Sequence, residues 1–204
     1  LKGVTGGTTV FTDQVFMRIN IHTEVDGLAN VGDKAEDVSF LMMIDTKEGA
    51  RGSPAPKVHL DFAPDGTRMH LRKYHPRTSE LAALTIKAEE KLLSAGVPLA
   101  ELPDKYDGPR WAMFSVWRPL KTVKRDPLAL SDVRSFPQED YVDYDVLFPT
   151  GVDDGSTTHA EASFIPYGSD IHAWHWISNQ EPDEVLVIQL FGSEAGYCWW
   201  CGAF

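Results

Sequence analysis

Cysteine is scarce, with two in 204 residues, Cys198 and Cys201. That excludes a disulfide scaffold and fits a reducing compartment, so a cytoplasmic location is expected. No run approaches the 18 or so continuous apolar residues of a membrane span, and none is expected. Positive charge is also short: 19 basic side chains face 30 acidic ones, for a formal net charge of -11. Such a field repels nucleic-acid phosphates and anionic membranes, so neither is an expected partner. An anionic small substrate stays compatible, because a local Arg or Lys can act inside a negative protein. The opening LKGVTGGTTVF lacks the basic-then-apolar order of a signal peptide. It also lacks an initiator Met, so the natural N-terminus is expected to be incomplete, and a targeting segment could have gone with it. There is no GxSxG, P-loop, dinucleotide fingerprint or EF-hand. The CxxC at 198–201 (CWWC) has no βαβ context and no two further zinc ligands beside it, and reads as apolar packing with free thiols.

What is present is enough for one domain with a real core: 43% of the residues are apolar, and a single domain over 1–204 is expected. Val, Phe and Ile in rough alternation predict one or two strands over 8–22, and VSFLMMID (38–45) reads as a buried strand. KVHLDF (57–62) alternates and ends at the APDG turn, and TRMHLRKYH (67–75) is expected to pair with it as a second strand. One helix is expected over about 79–94, capped by Thr78 or Ser79, with Leu81, Leu84, Ala88 and Leu92 as its buried stripe and Lys87, Glu90 and Lys91 outward. Further short strands are expected within 111–120, 142–148 and 172–177, with another short apolar segment at 127–136; EVLVIQLF (184–191) is the strongest strand signal and the segment 172–177 its hairpin partner. Many short strands and one supporting helix describe a mainly β domain, sandwich or barrel-like.

HLD at 59–61 is the central chemical feature. In a strand, residues two apart point to one face, so His59 and Asp61 would offer an imidazole and a carboxylate to one cavity while Leu60 faces away. A further His would complete a 2-His-1-carboxylate set, the arrangement that leaves open positions on non-haem Fe(II). His172 and His175 are the candidates for it; three apart, they would face opposite ways in a strand, so one enters and the other donates a hydrogen bond or stacks among Trp174 and Trp176. His70 and His75 lie in a basic stretch with Arg68, Arg72, Lys73 and Arg77, and read as solvated or supporting residues. Arg118, just before Pro119, either grips a carboxylate bidentately or forms a rim salt bridge, and Arg72 and Arg68 compete for the first role.

Taken in order, KVHLDFAPDG, FSVWRPL, DPLALSDVRS, HAWHW and PDEVLVIQLFGS make the chain resemble a known family over roughly residues 57–204. These are the iron oxygenases grouped with cephalosporin 7α-methoxylase-type and gibberellin-desaturase-like proteins of bacterial and fungal secondary metabolism. The resemblance implies a double-stranded β-helix (a jelly roll, cupin-like) that binds Fe(II) and uses 2-oxoglutarate and O2. The implied reaction is hydroxylation, desaturation or oxidative cyclisation of a small molecule. It puts the metal on His59, Asp61 and His172, with His175 where an aromatic is usual. Trp117, Arg118 and Pro119 keep the family's WRP element. Two positions depart from the pattern: Gln189 stands where a Lys is usual, and Cys201 stands in the closing stretch where a His is usual. Both bear on the grip on the cosubstrate carboxylate, for which Arg118, Arg72 and Gln189 are the candidates. Trp111, Trp117, Trp174, His175 and Trp176 are expected near the substrate cavity. The competing readings are a cupin-like dioxygenase or isomerase that uses no keto acid, and a non-catalytic β-sandwich binding module.

Overall fold

The computed structural model describes residues 1–12, 17–18, 51–52, 58–74, 76–149, 157–164 and 168–193. The chain divides into two compact units, Leu1–Pro56 and Lys57–Phe204. In the first, the helical turn α1 (Lys2–Thr5) is closed by Gly6, whose φ of 69° suits a residue without a Cβ. Two short strands, β1 (Met17–Arg18) and β2 (Arg51–Gly52), pair in parallel. Of the strands expected over 8–22, Met17–Arg18 is strand, residues 8–12 are not, and the remainder lies outside the described residues, as do 38–45 and the CWWC segment.

The described strands of the second unit pair antiparallel throughout. β3 (His59–Leu60) sits at the edge of a sheet ordered β3-β7-β6, with β6 at Val142–Pro149 and β7 at Thr157–Phe164. β4 (Ala112–Trp117) pairs with β9 (Leu186–Gly192), and β5 (Ala129–Ser131) with β8 (Trp174–Trp176). The hairpin expected between 172–177 and 184–191 therefore does not form. The seven residues of β9 need a partner of matching length to satisfy their backbone groups, and β4 with six supplies it. The three-residue β8 matches the three-residue β5. Strand β7 falls in a stretch for which no strand was expected from the sequence.

The register between β4 and β9 shifts at Met113/Phe114, so that Met113 faces Phe191 and Phe114 faces Gln189. Leu190 is the extra residue of this bulge. A bulge breaks the period of two, and Leu190 and Phe191, neighbours in sequence, are both buried. Phe191 is the centre of the core at 0% exposure. Trp111 stacks on it at 4.4 Å between ring centroids, and the Arg68 guanidinium lies 4.9 Å from its ring centre.

Residues 67–75 were expected to form a strand, but helix occupies this region. α2 (Pro64–Met69) runs into a π-helical turn at His70–Tyr74, followed by α3 (Pro76–Leu81) and α4 (Ala83–Ser94). Pro64 opens α2, where its missing N–H costs nothing, and Asp65 puts negative charge in the first turn. The burial pattern has a period of four: Thr67 and Leu71 are both buried, and Arg68 and Arg72 point the same way. Ser79 does not cap a helix; its Oγ donates within 2.8 Å of the carbonyls of Leu71 and Arg72 and so closes the π turn.

The expected apolar stripe of α4 is also corrected. Leu84 is 72% exposed, while Thr85 and Glu89 are buried. The cause is electrostatic. Glu89 accepts from Arg68 Nε at 3.3 Å and from Arg72 Nη2 at 2.7 Å. Two guanidiniums drawn out of water require a carboxylate, and that need rotates the helix against its weak apolar preference. Burial pulls the Arg68 pKa down and Glu89 pulls it back up. Gly108 lets the following loop approach α4, since a Cβ there would meet Ala88 Cβ at 2.5 Å. That loop begins after a last short helix, α5 (Leu102–Lys105), in which Leu102 is buried.

Candidate metal centre

His59 and Asp61 lie at the edge of the β3-β7-β6 sheet, where His59 is in register with Phe164 and Leu60 with Ser163. Leu60 is buried in the core, and the two flanking side chains turn the other way together. His59 Nε2 stands 3.5 Å from Asp61 Oδ1. That separation is long for a charge-assisted hydrogen bond, which closes to about 2.7–2.9 Å. Neighbouring ligands on one face of an octahedral ion, about 2.1 Å from it and about 90° apart, stand about 3.0 Å from each other, so the pair lies close to the spacing that a shared ion requires and a little wide of it. Phe62, next in sequence to Asp61, packs on His70 with ring centroids 5.0 Å apart.

His172 precedes β8, and its side chain is 2% exposed. Its ring stacks on Phe136 at 3.9 Å and 15°. Nε2 lies 2.7 Å from Asp140 Oδ2, and the Ser169 backbone N–H donates to Nδ1 at 3.2 Å. His175, in β8, is exposed, whereas His172 lies before the strand. His172 is not gathered with His59 and Asp61: among the described residues, no three His, Cys, Asp or Glu side chains stand together as a metal would hold them. The donor set fits iron in kind, and in spacing for His59 and Asp61.

The other sequence candidates fall in several places. Arg72 is committed to Glu89. Arg118 is exposed and donates from Nε to the Pro182 carbonyl at 2.7 Å. Gln189 is half-buried opposite Phe114. Trp174 meets Phe136 edge-on at 5.3 Å and so joins the His172 cluster. Trp117 ends β4 opposite Leu186, and Trp111 belongs to the Phe191 core. Trp176 is exposed and lines an open cavity of about 250 Å3 with Val123, Lys124, Arg125 and Asn179; neither His59, Asp61 nor His172 lines it. His75 and Cys201 lie outside the described residues. Asp140, Phe136 and Glu89 were not singled out from the sequence. Asp140 lies 32 residues from its partner and Glu89 17 and 21 residues from its two, so no local pattern could flag them.

Near this cluster, Asp132 caps a 3₁₀ turn (Val133–Ser135) and takes three hydrogen bonds from Arg134: from the backbone N–H at 3.0 Å, from Nε at 2.9 Å and from Nη2 at 2.6 Å. Those bonds hold its carboxyl at about 2, below the ordinary 3.8. A depressed carboxyl stabilises the fold above its unfolded value and loses that contribution as pH falls through its folded one. The contribution is therefore expected to fade from about pH 4 to about pH 2, and to be small because water and salt screen the pair. An NMR titration should find the Asp132 midpoint near 2, and Arg134→Ala should return it towards 3.8.

The chain belongs to the family described as the oxidoreductase/YMDC permease-like domain, whose model matches residues 1–199. It is 38% identical to the oxidoreductase chry3 of Gibberella zeae, over 95% of this chain and 60% of that protein. It is 35% identical to the gibberellin cluster GA4 desaturase of Gibberella fujikuroi, over 73% of this chain and 42% of that one. It is 30% identical to the alpha-ketoglutarate-dependent dioxygenase tstK of Talaromyces stipitatus, over 69% and 40% respectively. The chain thus spans between about two fifths and three fifths of the length of these relatives. Their names are those of the group that the ordered motifs resemble. Among solved structures, an iron and alpha-ketoglutarate-dependent endoperoxidase NvfI aligns over 78% of this chain and 48% of its own, at 22% identity and a TM-score of 0.47. Among the described residues no helix is long and apolar enough to cross a membrane.

Proposed function

We propose that this chain carries the metal site of an Fe(II)- and 2-oxoglutarate-dependent oxygenase acting on a small molecule of secondary metabolism, on a double-stranded β-helix. The observation that carries the reading is the His59–Asp61 pair, turned to one side of an edge strand and set 3.5 Å apart. The names of the relatives support it. His59 and Asp61 would hold the ion, and His172 would be the third ligand. Bound iron with 2-oxoglutarate and O2 supplies the oxidising chemistry for hydroxylation, desaturation or cyclisation, with succinate and CO2 as co-products.

The remaining roles fall to the chain's own residues. Of the candidate anchors for the keto acid, Arg118 is favoured over Arg72. Arg72 is already neutralised by Glu89, whereas no carboxylate among the described residues pairs with Arg118. A guanidinium with no acid partner of its own is suited to binding one from solution. Gln189 can add a neutral amide where the resemblance leads one to expect a charge. Phe136 and Trp174 form an aromatic wall beside His172.

The test is an anaerobic Fe(II) titration with and without 2-oxoglutarate, followed by succinate measurement in air. One iron per chain, tightened by 2-oxoglutarate, with succinate formed on addition of O2, is expected. Stoichiometric metal without succinate would favour a keto-acid-independent metalloenzyme. No stoichiometric iron would favour a binding module.

A further inference from the structure

The open cavity beside Trp176 has a chemistry of its own. Its wall of about 250 Å3 holds Val123, Lys124, Arg125, Trp176, Ser178 and Asn179, and no acidic residue. In a chain of net charge -11, a concavity with two cations and no acid runs against the general field.

The wall is built on two fastened loops. Val123 N–H donates to the Gln180 carbonyl at 2.9 Å, and Thr122 Oγ1 donates to Glu181 Oε2 at 2.8 Å. Gln180 is itself 2% exposed, and its amide Nε2 donates to the Glu184 carbonyl at 2.7 Å. Trp176 ends β8 in register with Ala129 of β5, so a strand pair fixes its backbone. Asp126 and Asn179 have φ of 50° and 52°, and no other non-glycine among the described residues has a positive φ. The Cβ disfavours that conformation, although Asp and Asn bear it better than most. Asn179 lines the cavity, and Asp126 sits between Arg125 and Pro127, which both line it.

The polar groups of the wall are uncommitted. Among the described residues, the side chains of Lys124, Ser178 and Asn179 have no hydrogen-bond or ion-pair partner. Arg125 gives only Nε, to Asp126 Oδ2 at 2.7 Å, which leaves its two terminal nitrogens open. Trp176 is 58% exposed and offers a flat apolar face.

These groups select a ligand class. The ammonium and the open edge of the guanidinium attract an anion, and Ser178 and Asn179 can donate to its oxygens. The indole takes a flat apolar body. At about 30 Å3 per liquid water, the cavity has room for about eight waters, so the body is one or two rings. A concave wall favours a small molecule over the broad face of a protein partner.

We propose that this cavity is a second small-molecule site, which takes an organic anion with a flat one- or two-ring body. The ring lies on Trp176, and the anionic group meets Lys124 and the open edge of Arg125. The site is independent of the metal reading.

The test uses the full chain without metal and 2-naphthoate as the probe. Binding is followed by proton–nitrogen NMR at the Trp176 indole N–H, assigned through Trp176→Phe, and at the Ser178 and Asn179 backbone N–H. A saturable shift with a Kd of about 1 mM or tighter is expected, which corresponds to a modest efficiency per atom. The neutral 2-naphthamide and the ringless acetate should each bind at least about fivefold more weakly, for want of the charge or of the ring. Lys124→Ala and Arg125→Ala should each weaken 2-naphthoate about three- to fivefold, and Trp176→Ala about five- to tenfold. These side chains are exposed, so the variants should fold as wild type does. Lys105→Ala removes an exposed lysine from α5 and should leave the affinity unchanged. No saturable shift at these signals overturns the proposal, and so does equal affinity for 2-naphthoate and 2-naphthamide. A loss in Lys105→Ala as large as in Lys124→Ala overturns it too, since overall charge would then be the cause. A Trp176 signal that moves with protein concentration in the absence of probe marks this face as a contact between copies and overturns it as well. None of these outcomes alters the expectation for Fe(II) at His59 and Asp61, so the two readings fail separately.

Discussion

Alanine at His59 or at Asp61 is expected to abolish stoichiometric Fe(II) binding, and with it any 2-oxoglutarate turnover. The loss should exceed the roughly 10- to 100-fold that removing an outer hydrogen-bond partner costs, because a donor atom itself disappears. Asp61→Asn is the sharper variant: it keeps the size of the side chain and one oxygen but removes the negative charge that offsets the ion. Leu60→Ala provides the control. Leu60 is 4% exposed and faces the core, opposite to its two neighbours. Its truncation should cost about 2–5 kcal/mol of stability through lost burial and a cavity. It should leave the Fe(II) affinity of the folded protein unchanged. Anaerobic titration and urea unfolding on these four variants separate the two faces of a two-residue strand. Retention of wild-type iron affinity by both His59→Ala and Asp61→Ala would remove the basis of the proposed activity.

The second large effect is expected at Glu89, outside the proposed site. Its carboxylate lies between the Arg68 and Arg72 guanidiniums at 3.3 and 2.7 Å, and is 2% exposed. Glu89→Ala leaves two cations without their shared carboxylate, one of them deeply buried beside the Phe191 ring. Breaking a buried pair by removing one partner typically costs about 3–5 kcal/mol. For a unit of this size each kcal/mol corresponds to roughly 2–4 °C in Tm, so the loss should be plain by thermal unfolding. Glu89→Gln keeps an acceptor and should lose less. Because Glu89 and Arg68 are buried and only the Arg72 end meets water, added salt should reproduce little of the effect, unlike at a surface ion pair. An arginine already neutralised by a buried glutamate is a poor anchor for a keto acid, so the proposed anchor is Arg118 rather than Arg72.

The parts of the site legible in the sequence are those that depend on near neighbours. His59 and Asp61 on one side of Leu60 follow from the two-residue period of a strand, and the structure sets them 3.5 Å apart. His172 and His175 differ in exposure, His172 being buried ahead of the strand and His175 exposed within it. The resemblance covered what spacing could not supply, by singling out His172. The partner that holds His172 was not legible. Asp140 is one of 30 acidic residues, and nothing within a window of ten residues distinguishes it. The same holds for Glu89, whose two partners lie 17 and 21 residues away. Both were selected by a cation or a ring brought up from a distant segment.

The sequence by itself determined the local alternation that pairs His59 with Asp61, the order of motifs that places the chain in its family, and the likeness to iron oxygenases. These are properties of spacing and composition, and the chain carries them in any conformation. The tertiary structure decided which strands pair, because backbone groups seek partners of matching length: β9 took β4, and β8 took β5. It turned the expected strand at 67–75 into helix, because Thr67, Arg68, Leu71 and Arg72 find their partners only at a period of four. It rotated α4 to bring Glu89 inward, because two arginines leaving water cost more than the exposure of Leu84. It also set Asp140 against His172, because an imidazole with a backbone N–H on one nitrogen has a hydrogen to give from the other.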